Sequence, residues 1–171
     1  LLDYNRKQAD GPIARETVNL AELVENVVSA HSLPARAKMM HTELLLSERL
    51  CEAEPALLVS VLDNLYSNAV HYGAESGNIR IHSYRHGEQV RIDVINDGEP
   101  IPPAERNMIF EPFYQGSHQR KGAVKGSGLG LSIARDCVRQ MQGELSLVDD
   151  KSGLICFRIT LPVAESGQNN V

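Results

Sequence analysis

Residues 55–72 read PALLVSVLDNLYSNAVHY, and the reading of the whole chain turns on them. Leu58, Val61, Leu62, Leu65 and Ala69 recur at helical spacing and predict a helix with one buried side. Ser60, Asp63, Asn64, Ser67, Asn68 and His71 keep that spacing on another side. Asn64 and Asn68 lie one turn apart, so their carboxamides point the same way. Asparagine is a poor helix former, because its side chain competes with the backbone for hydrogen bonds. Two of them on one face of a helix interior suggest a use. An amide oxygen is a hard, neutral donor suited to magnesium, which keeps waters and shares phosphate oxygens of a substrate. The bland alternative is a solvated helix face, and this helix alone does not decide between them.

The chain has 171 residues, enough for one domain with a full core. A net charge of −5 argues against nucleic acid or an anionic membrane as bulk partners, although local basic groups can still meet phosphates. No apolar run is long enough to cross a bilayer and no signal peptide opens the chain. It starts on Leu1 inside what reads as a helix, so a fragment of a longer protein is expected. Cys51, Cys137 and Cys156 are scattered through apolar runs, which predicts buried thiols in a reducing compartment. No Cys/His spacing suggests zinc.

Leu1 to Ala9 reads as the end of a helix stopped by Asp10-Gly11-Pro12. Val18 to Leu20 is a candidate short strand, and Asn19 with Glu22 resembles an N-cap pair. Leu20, Leu23, Val24, Val27 and Val28 mark one face of the next helix, which Pro34 should kink or end. Thr42 to Leu46 reads as a strand. Past the central helix, Ile79 to Tyr84 and Val90 to Ile95 alternate as strands around a hairpin carrying Gly87. Asn96 to Pro103 breaks the second strand, Glu105 to Phe110 reads as a short helix, and Gln115 to Lys125 has the composition of a loop. A helix follows with Ile133, Ala134, Cys137, Val138 and Met141 on its apolar face and Gly143 at the position expected for its cap. Glu144 to Val148 and Leu154 to Leu161 form a last strand pair, and Glu165 to Val171 a polar tail. Helices and hairpins alternate, predicting one mixed sheet with helices packed on it.

Four stretches could carry chemistry. Gly126, Gly128 and Gly130 let a backbone approach a bulky ligand, and the helix they open offers unpaired N–H groups to phosphate. Ser127 adds a hydroxyl, but the spacing is neither that of a Rossmann turn nor that of a Walker A loop. Asn96-Asp97-Gly98 is a common turn, or a polar group reading a base edge: an Asp accepts from an exocyclic amine, an Asn through its carbonyl. Arg120, Lys121 and Lys125 are a solvated cluster, or a lid that puts cations on an anion. Phe110-Glu111-Pro112-Phe113-Tyr114 places three aromatics in five positions, as packing or as an interface anchor. His31, His41, His82 and His86 show no grouping.

In this order and spacing, the four stretches resemble the catalytic ATP-binding domain of bacterial sensor histidine kinases, relatives of the gyrase and Hsp90 type of ATPase. Asn64 to Val70 matches the family's N box, Asn96 to Ile101 its first glycine box, Phe110 to Tyr114 its F box and Gly126 to Leu131 its second glycine box. The resemblance covers about 18–162. It implies a Bergerat-type α/β (α+β) two-layer sandwich, with helices on one face of a mixed, mainly antiparallel sheet. Residues 1–12 would then end an upstream dimerisation and phosphoacceptor helix, 13–163 form the catalytic domain, and 164–171 the tail. ATP and Mg2+ are the implied cofactors. Asn68 would coordinate the metal and Asn64 would support phosphates or metal. Tyr72 and His71 would lie along the nucleotide, Gly98 would admit adenine, and Ile101 would line the site. Gly126, Ser127, Gly128, Leu129, Gly130 and Leu131 would wrap the phosphates. Lys121 and Lys125 would supply cations, and Phe110 and Phe113 would anchor the lid and touch the partner domain.

The sequence departs from that pattern in places. The family's adenine-reading Asp falls on Asn96, with Asp97 one place later; Pro100 replaces the box's second glycine; His71 stands where a Lys is common, and Gln115 where an Arg is common. A neutral acceptor should weaken the bond to the adenine amine, which is worth about 1.5–3 kcal/mol when charge-assisted. No phosphoacceptor histidine is visible. The implied partners are an upstream histidine-bearing domain of the same protein and the receiver domain of a response regulator. The parent is expected to be a homodimer anchored in the bacterial inner membrane, the fragment a cytoplasmic, monomeric piece. The competing readings are a degenerate binding module of the same fold, motivated by Asn96 and Pro100, and a stand-alone ATPase or serine kinase using Asp63 or Glu52 as base.

Overall fold

A computed structural model describes residues 14–112, 114, 130–148 and 152–164. In chain order the elements are β1 (Glu16–Asn19), α1 (Leu20–Ala30), α2 (Ser32–Ala37), β2 (His41–Leu46), β3 (Leu50–Ala53), α3 (Pro55–Tyr72), β4 (Asn78–His86), β5 (Gln89–Asn96), a 3-10 turn (Pro103–Glu105), α4 (Gly130–Gln140), β6 (Glu144–Leu147) and β7 (Ile155–Pro162). The main sheet runs β2-β4-β5-β7-β6. β2 and β4 are parallel and every other pair is antiparallel. Inward-facing Ile79, Ile81, Val90, Ile92, Val94, Phe157, Ile159 and Leu161 form one core with the apolar faces of α1, α3 and α4. This is the expected two-layer sandwich, with helices on one face of a mixed sheet.

Local chemistry explains where the helices begin. The Asn19 carboxamide oxygen accepts from the N–H groups of Ala21 and Glu22 at 3.0 and 3.4 Å. For α3 the Glu54 carboxylate accepts from Ala56 and Leu57 at 3.2 and 2.8 Å, with Pro55 in the first turn where its missing N–H costs nothing. The helix seen in the sequence after Leu20 ends at Ala30, and Pro34 falls in the first turn of the separate α2.

Four local expectations are corrected. The first strand is Glu16–Asn19, two residues earlier than its apolar run suggested. It pairs not with the main sheet but with β3, a strand hidden in LCEA, which makes a second, two-stranded sheet instead of a single one. Glu105 to Phe110 is not a helix: one 3-10 turn is followed by successive turns, in which the N–H groups of Arg106, Met108 and Glu111 each donate to the carbonyl three residues back. Gly143 is not the left-handed residue that closes α4. Gln142 is, at φ 64, with Gly143 one place later donating to the Val138 carbonyl at 3.0 Å. Gly143 is needed for a different reason: a Cβ there would lie 2.1 Å from the Thr160 carbonyl oxygen on β7.

On the sheet's other face, Arg158 donates to both carboxylate oxygens of Asp93, at 2.8 and 3.1 Å, and the Tyr84 hydroxyl donates to the same group at 3.1 Å. That hydrogen bond, more than the neighbouring charge, raises the guanidinium's already high pKa. All three cysteines are free and buried. Burial, reinforced by Glu52 and Glu48, pushes the Cys51 thiol up to about 12. At pH 8 its thiolate fraction is then on the order of 10⁻⁴, so a native-state titration with an aromatic disulfide reagent should leave Cys51 unreacted. Full reaction is expected only in denaturant.

Candidate functional site

The asparagine face of α3 meets the start of α4. Asn64 and Asn68 are half-buried, and the Asn64 carboxamide oxygen is buried with no hydrogen-bond partner among the described residues. A buried acceptor left unpaired costs about 1–3 kcal/mol, so the position waits for a donor or a cation. Gly130, the first residue of α4, sits directly against this amide. A Cβ at 130 would lie 2.6 Å from Asn64 Nδ2 and 3.2 Å from its oxygen. A side chain at 130 would have to push the Asn64 amide aside, so glycine lets the first turn of α4 come this close with the amide in place. Leu131, next along, is half-buried and packs on the core.

The other end of α3 meets the exit from β5. Gly73 and Gly98 form an antiparallel bridge. Gly98 has φ +142, and a Cβ on it would lie 2.7 Å from the Tyr72 carbonyl oxygen. Its glycine is therefore required for a backbone-to-backbone approach at the end of the helix. Asn96 follows Val90, Ile92 and Val94 on the inward face of β5 and is 4% exposed. Its side-chain nitrogen donates to the Asp97 carbonyl at 2.8 Å, which turns the amide oxygen to accept elsewhere. The Asp97 carboxylate is engaged on the far side, accepting from the Asn78 N–H at 3.1 and 3.3 Å. Of the two candidates for reading a base, Asn96 alone faces the helices. Ile101, half-buried, packs against the core beyond this turn.

Tyr72 and His71 touch edge to face, 4.5 Å between ring centroids. Desolvation first and the nearby Lys38 ammonium second hold the His71 imidazole below its ordinary value, so it is neutral at pH 7. No cation therefore stands where a lysine is common in similar domains. Phe110 is 7% exposed, its ring edge-on to Phe157 at 6.1 Å and beneath the Arg135 guanidinium at 4.9 Å, which anchors this segment to the core. Phe113, Arg120, Lys121, Lys125, Gly126, Ser127, Gly128 and Leu129 lie outside the described residues.

Asp63 and Glu52, the alternative bases, are engaged elsewhere. Asp63 pairs with His31 at 2.7 Å, and Glu52 accepts from the Thr17 hydroxyl at 2.7 Å. The sequence had left His31 without a role. Lys38 was missed altogether. Its ammonium donates to the carbonyls of Val70, His71 and Gly73 at 2.9, 2.9 and 2.8 Å, capping the end of α3. The available signal was an omission: α3 has only a histidine in its last turn and no left-handed glycine after it.

Residues 53–165 match the model of the histidine kinase-, DNA gyrase B- and HSP90-like ATPase family. The chain belongs to this ATPase family. As an ATP-binding domain of that family, it has well-matched relatives. It is 72% identical over 166 residues to the sensor histidine kinase GlrK of Escherichia coli K12, covering 97% of this chain and 35% of that protein. The chain thus spans about a third of the length of the curated relative it matches. The nucleotide-free catalytic domain of histidine kinase ThkA superposes with a TM-score of 0.77 at 27% identity, covering 90% of this chain and 99% of that one. ThkA in complex with the response regulator protein TrrA gives 0.72 at 26% identity, covering 89% of this chain and 42% of that one.

Proposed function

We propose that this ATP-binding domain binds Mg-ATP and delivers the γ-phosphoryl group to a histidine on an upstream domain of a longer sensor kinase, which then feeds a response regulator. The supporting observation is the contact of Gly130 with Asn64 around an unpaired, buried amide oxygen. An orphan neutral oxygen beside a second carboxamide is the donor chemistry magnesium takes. Asn68 would hold the metal and Asn64 would complete the site toward the metal or phosphates. When bound, the metal neutralises charge on the triphosphate. The chain's own residues orient the nucleotide: Asn96 accepts from the adenine amine, Tyr72 lies beside the base, and the first turn of α4 offers N–H groups to phosphate. In transfer, the bond from the γ-phosphorus to the β–γ bridging oxygen breaks and a phosphorus–nitrogen bond to the imidazole forms, leaving ADP. Placement and charge neutralisation suffice for such a reaction. Lys121, Lys125 and the glycines Gly126 and Gly128 are assigned to the phosphate end on the family pattern alone.

The longer protein is read as an inner-membrane homodimer with this domain on the cytoplasmic side. Among the described residues no helix is long and apolar enough to cross a membrane. Calorimetry with a non-hydrolysable ATP analogue tests the reading: binding should be present with magnesium and much weaker without it. No magnesium-dependent heat at millimolar nucleotide would favour a degenerate binding module, the reading that Asn96 motivates. Gly130→Val gives a sharper check. The added branches must displace the Asn64 amide, so analogue affinity should fall about tenfold or more, by the loss of a charge-assisted contact. Far-UV circular dichroism should stay that of the parent chain.

A further inference from the structure

We infer that Lys38 is a positioning residue for the base-recognising end of the nucleotide site, a role resting on the function proposed above. An ammonium has three donors, and Lys38 places all three on carbonyls at the end of α3: Val70, His71 and Gly73. These are among the last carbonyls of the helix, which have no partners within it. The helix ends on Gly73 in an extended conformation, at φ −67 and ψ 158, so no left-handed turn satisfies them instead.

Lys38 is itself held from the same side. Its carbonyl accepts from the Ser76 N–H at 2.8 Å, and the His41 N–H donates to Gly77 at 3.0 Å. The Met40 side chain lies under Gly73, where a Cβ would be 2.4 Å from its terminal methyl. The connection between α2 and β2 and the turn after α3 therefore grip each other, with the ammonium at the centre.

What the grip locates is the partner of β5's exit. Gly73 bridges Gly98, Ala74 donates to the Asp97 carbonyl at 3.3 Å, and Gly98 rests on the Tyr72 carbonyl. Asn96 is two residues from that contact and donates to the same Asp97 carbonyl. The position of the base-reading amide relative to Asn64 and Asn68 thus depends on how α3 ends, and Lys38 sets that end. Release of the ammonium would loosen the base end first, while Asn68 and Asn64, roughly one and a half and two and a half turns back along the helix from Gly73, stay held by the body of α3.

The test measures binding of non-hydrolysable ATP and GTP analogues, with magnesium, to the 171-residue chain and to Lys38→Met at about 10 °C, with circular dichroism reading the folded fraction of each. Lys38→Met should lower affinity for the ATP analogue about tenfold, the scale of one lost charge-assisted contact, and should narrow the preference for adenine over guanine by a similar factor. A purely structural lysine would lower both affinities alike through the folded fraction, and an unchanged preference overturns the inference. Lys38→Gln, which loses the charge and one of the three donors, is read for the same narrowing of preference, in smaller measure, if the methionine variant does not fold. If the unaltered chain binds neither analogue, the proposed function fails and takes this inference with it. Binding by the unaltered chain with a preference that Lys38→Met leaves intact overturns the role of Lys38 alone.

Discussion

Asn68→Ala should abolish magnesium-dependent nucleotide binding by this chain, and autophosphorylation by any longer protein that carries it. The side chain sits half-buried on the helix face whose neighbouring amide oxygen has no partner among the described residues, one turn from the contact with α4. Loss of groups that only support a metal ligand costs about 10- to 100-fold, so loss of the ligand itself should cost at least about 100-fold. Stability should move the other way. Asn is worse than Ala within a helix by roughly half a kcal/mol, and Asn68 lies mid-helix, so the variant should melt at the same temperature as the parent or slightly above it. That pairing of outcomes separates a binding role from a folding one. An Asn68→Ala chain that still binds the analogue with magnesium would remove the metal assignment; one that fails to fold would show that the face is structural. Titration calorimetry beside a thermal melt reads both.

Asp93→Ala is expected to be the most destabilising single change among the sites described, with no effect on the nucleotide-binding face. Asp93 is 5% exposed and holds Arg158 through two hydrogen bonds and Tyr84 through a third. Removing one partner of a buried pair leaves the other charge without compensation, at a cost of about 3–5 kcal/mol. Arg158 retains 24% side-chain exposure and can be partly solvated, which favours the lower end. Against a typical total of about 5–15 kcal/mol, this is a large fraction. Urea denaturation should show a lower midpoint with an unchanged slope, and the melting temperature should drop by roughly 6–12 °C. Asp93→Leu combined with Arg158→Met should recover most of the loss, because a well-packed apolar pair often equals a buried ion pair. A double variant no more stable than Asp93→Ala would mean that the carboxylate's bond to Tyr84 carries the stability.

The parts of the fold and site that a reader of the sequence could see were those written in local periodicity. The two stripes of α3, the β4–β5 hairpin around Gly87 and the alternating face of β7 each follow from residue spacing. What escaped depends on residues far apart in the chain. β3 is four residues long, and nothing within LCEA says that its partner is a strand more than thirty residues earlier. Lys38 carried no local signal, because the carbonyls it caps lie more than thirty residues ahead. Asp93 alternated outward, as a solvated residue would, and only Arg158 on β7 makes it a buried one. That Asn96 faces inward and the Asp97 carboxylate is engaged elsewhere was likewise invisible without the direction of each side chain. That direction is set by the inward register of β5 for one, and by the Asn78 N–H for the other.

Cys51 stands between the two extremities of the folded unit: Val18 pairs with it on one side and Val163 bridges it on the other. Those contacts close loops of very different length, and closing the longer one costs about 1 kcal/mol more in loop entropy than closing the shorter. Strand docking at this seam should therefore be a late event in refolding, after the central hairpin has formed. A thiol reagent pulsed during refolding would read that order directly, with Cys51 protected after Cys137.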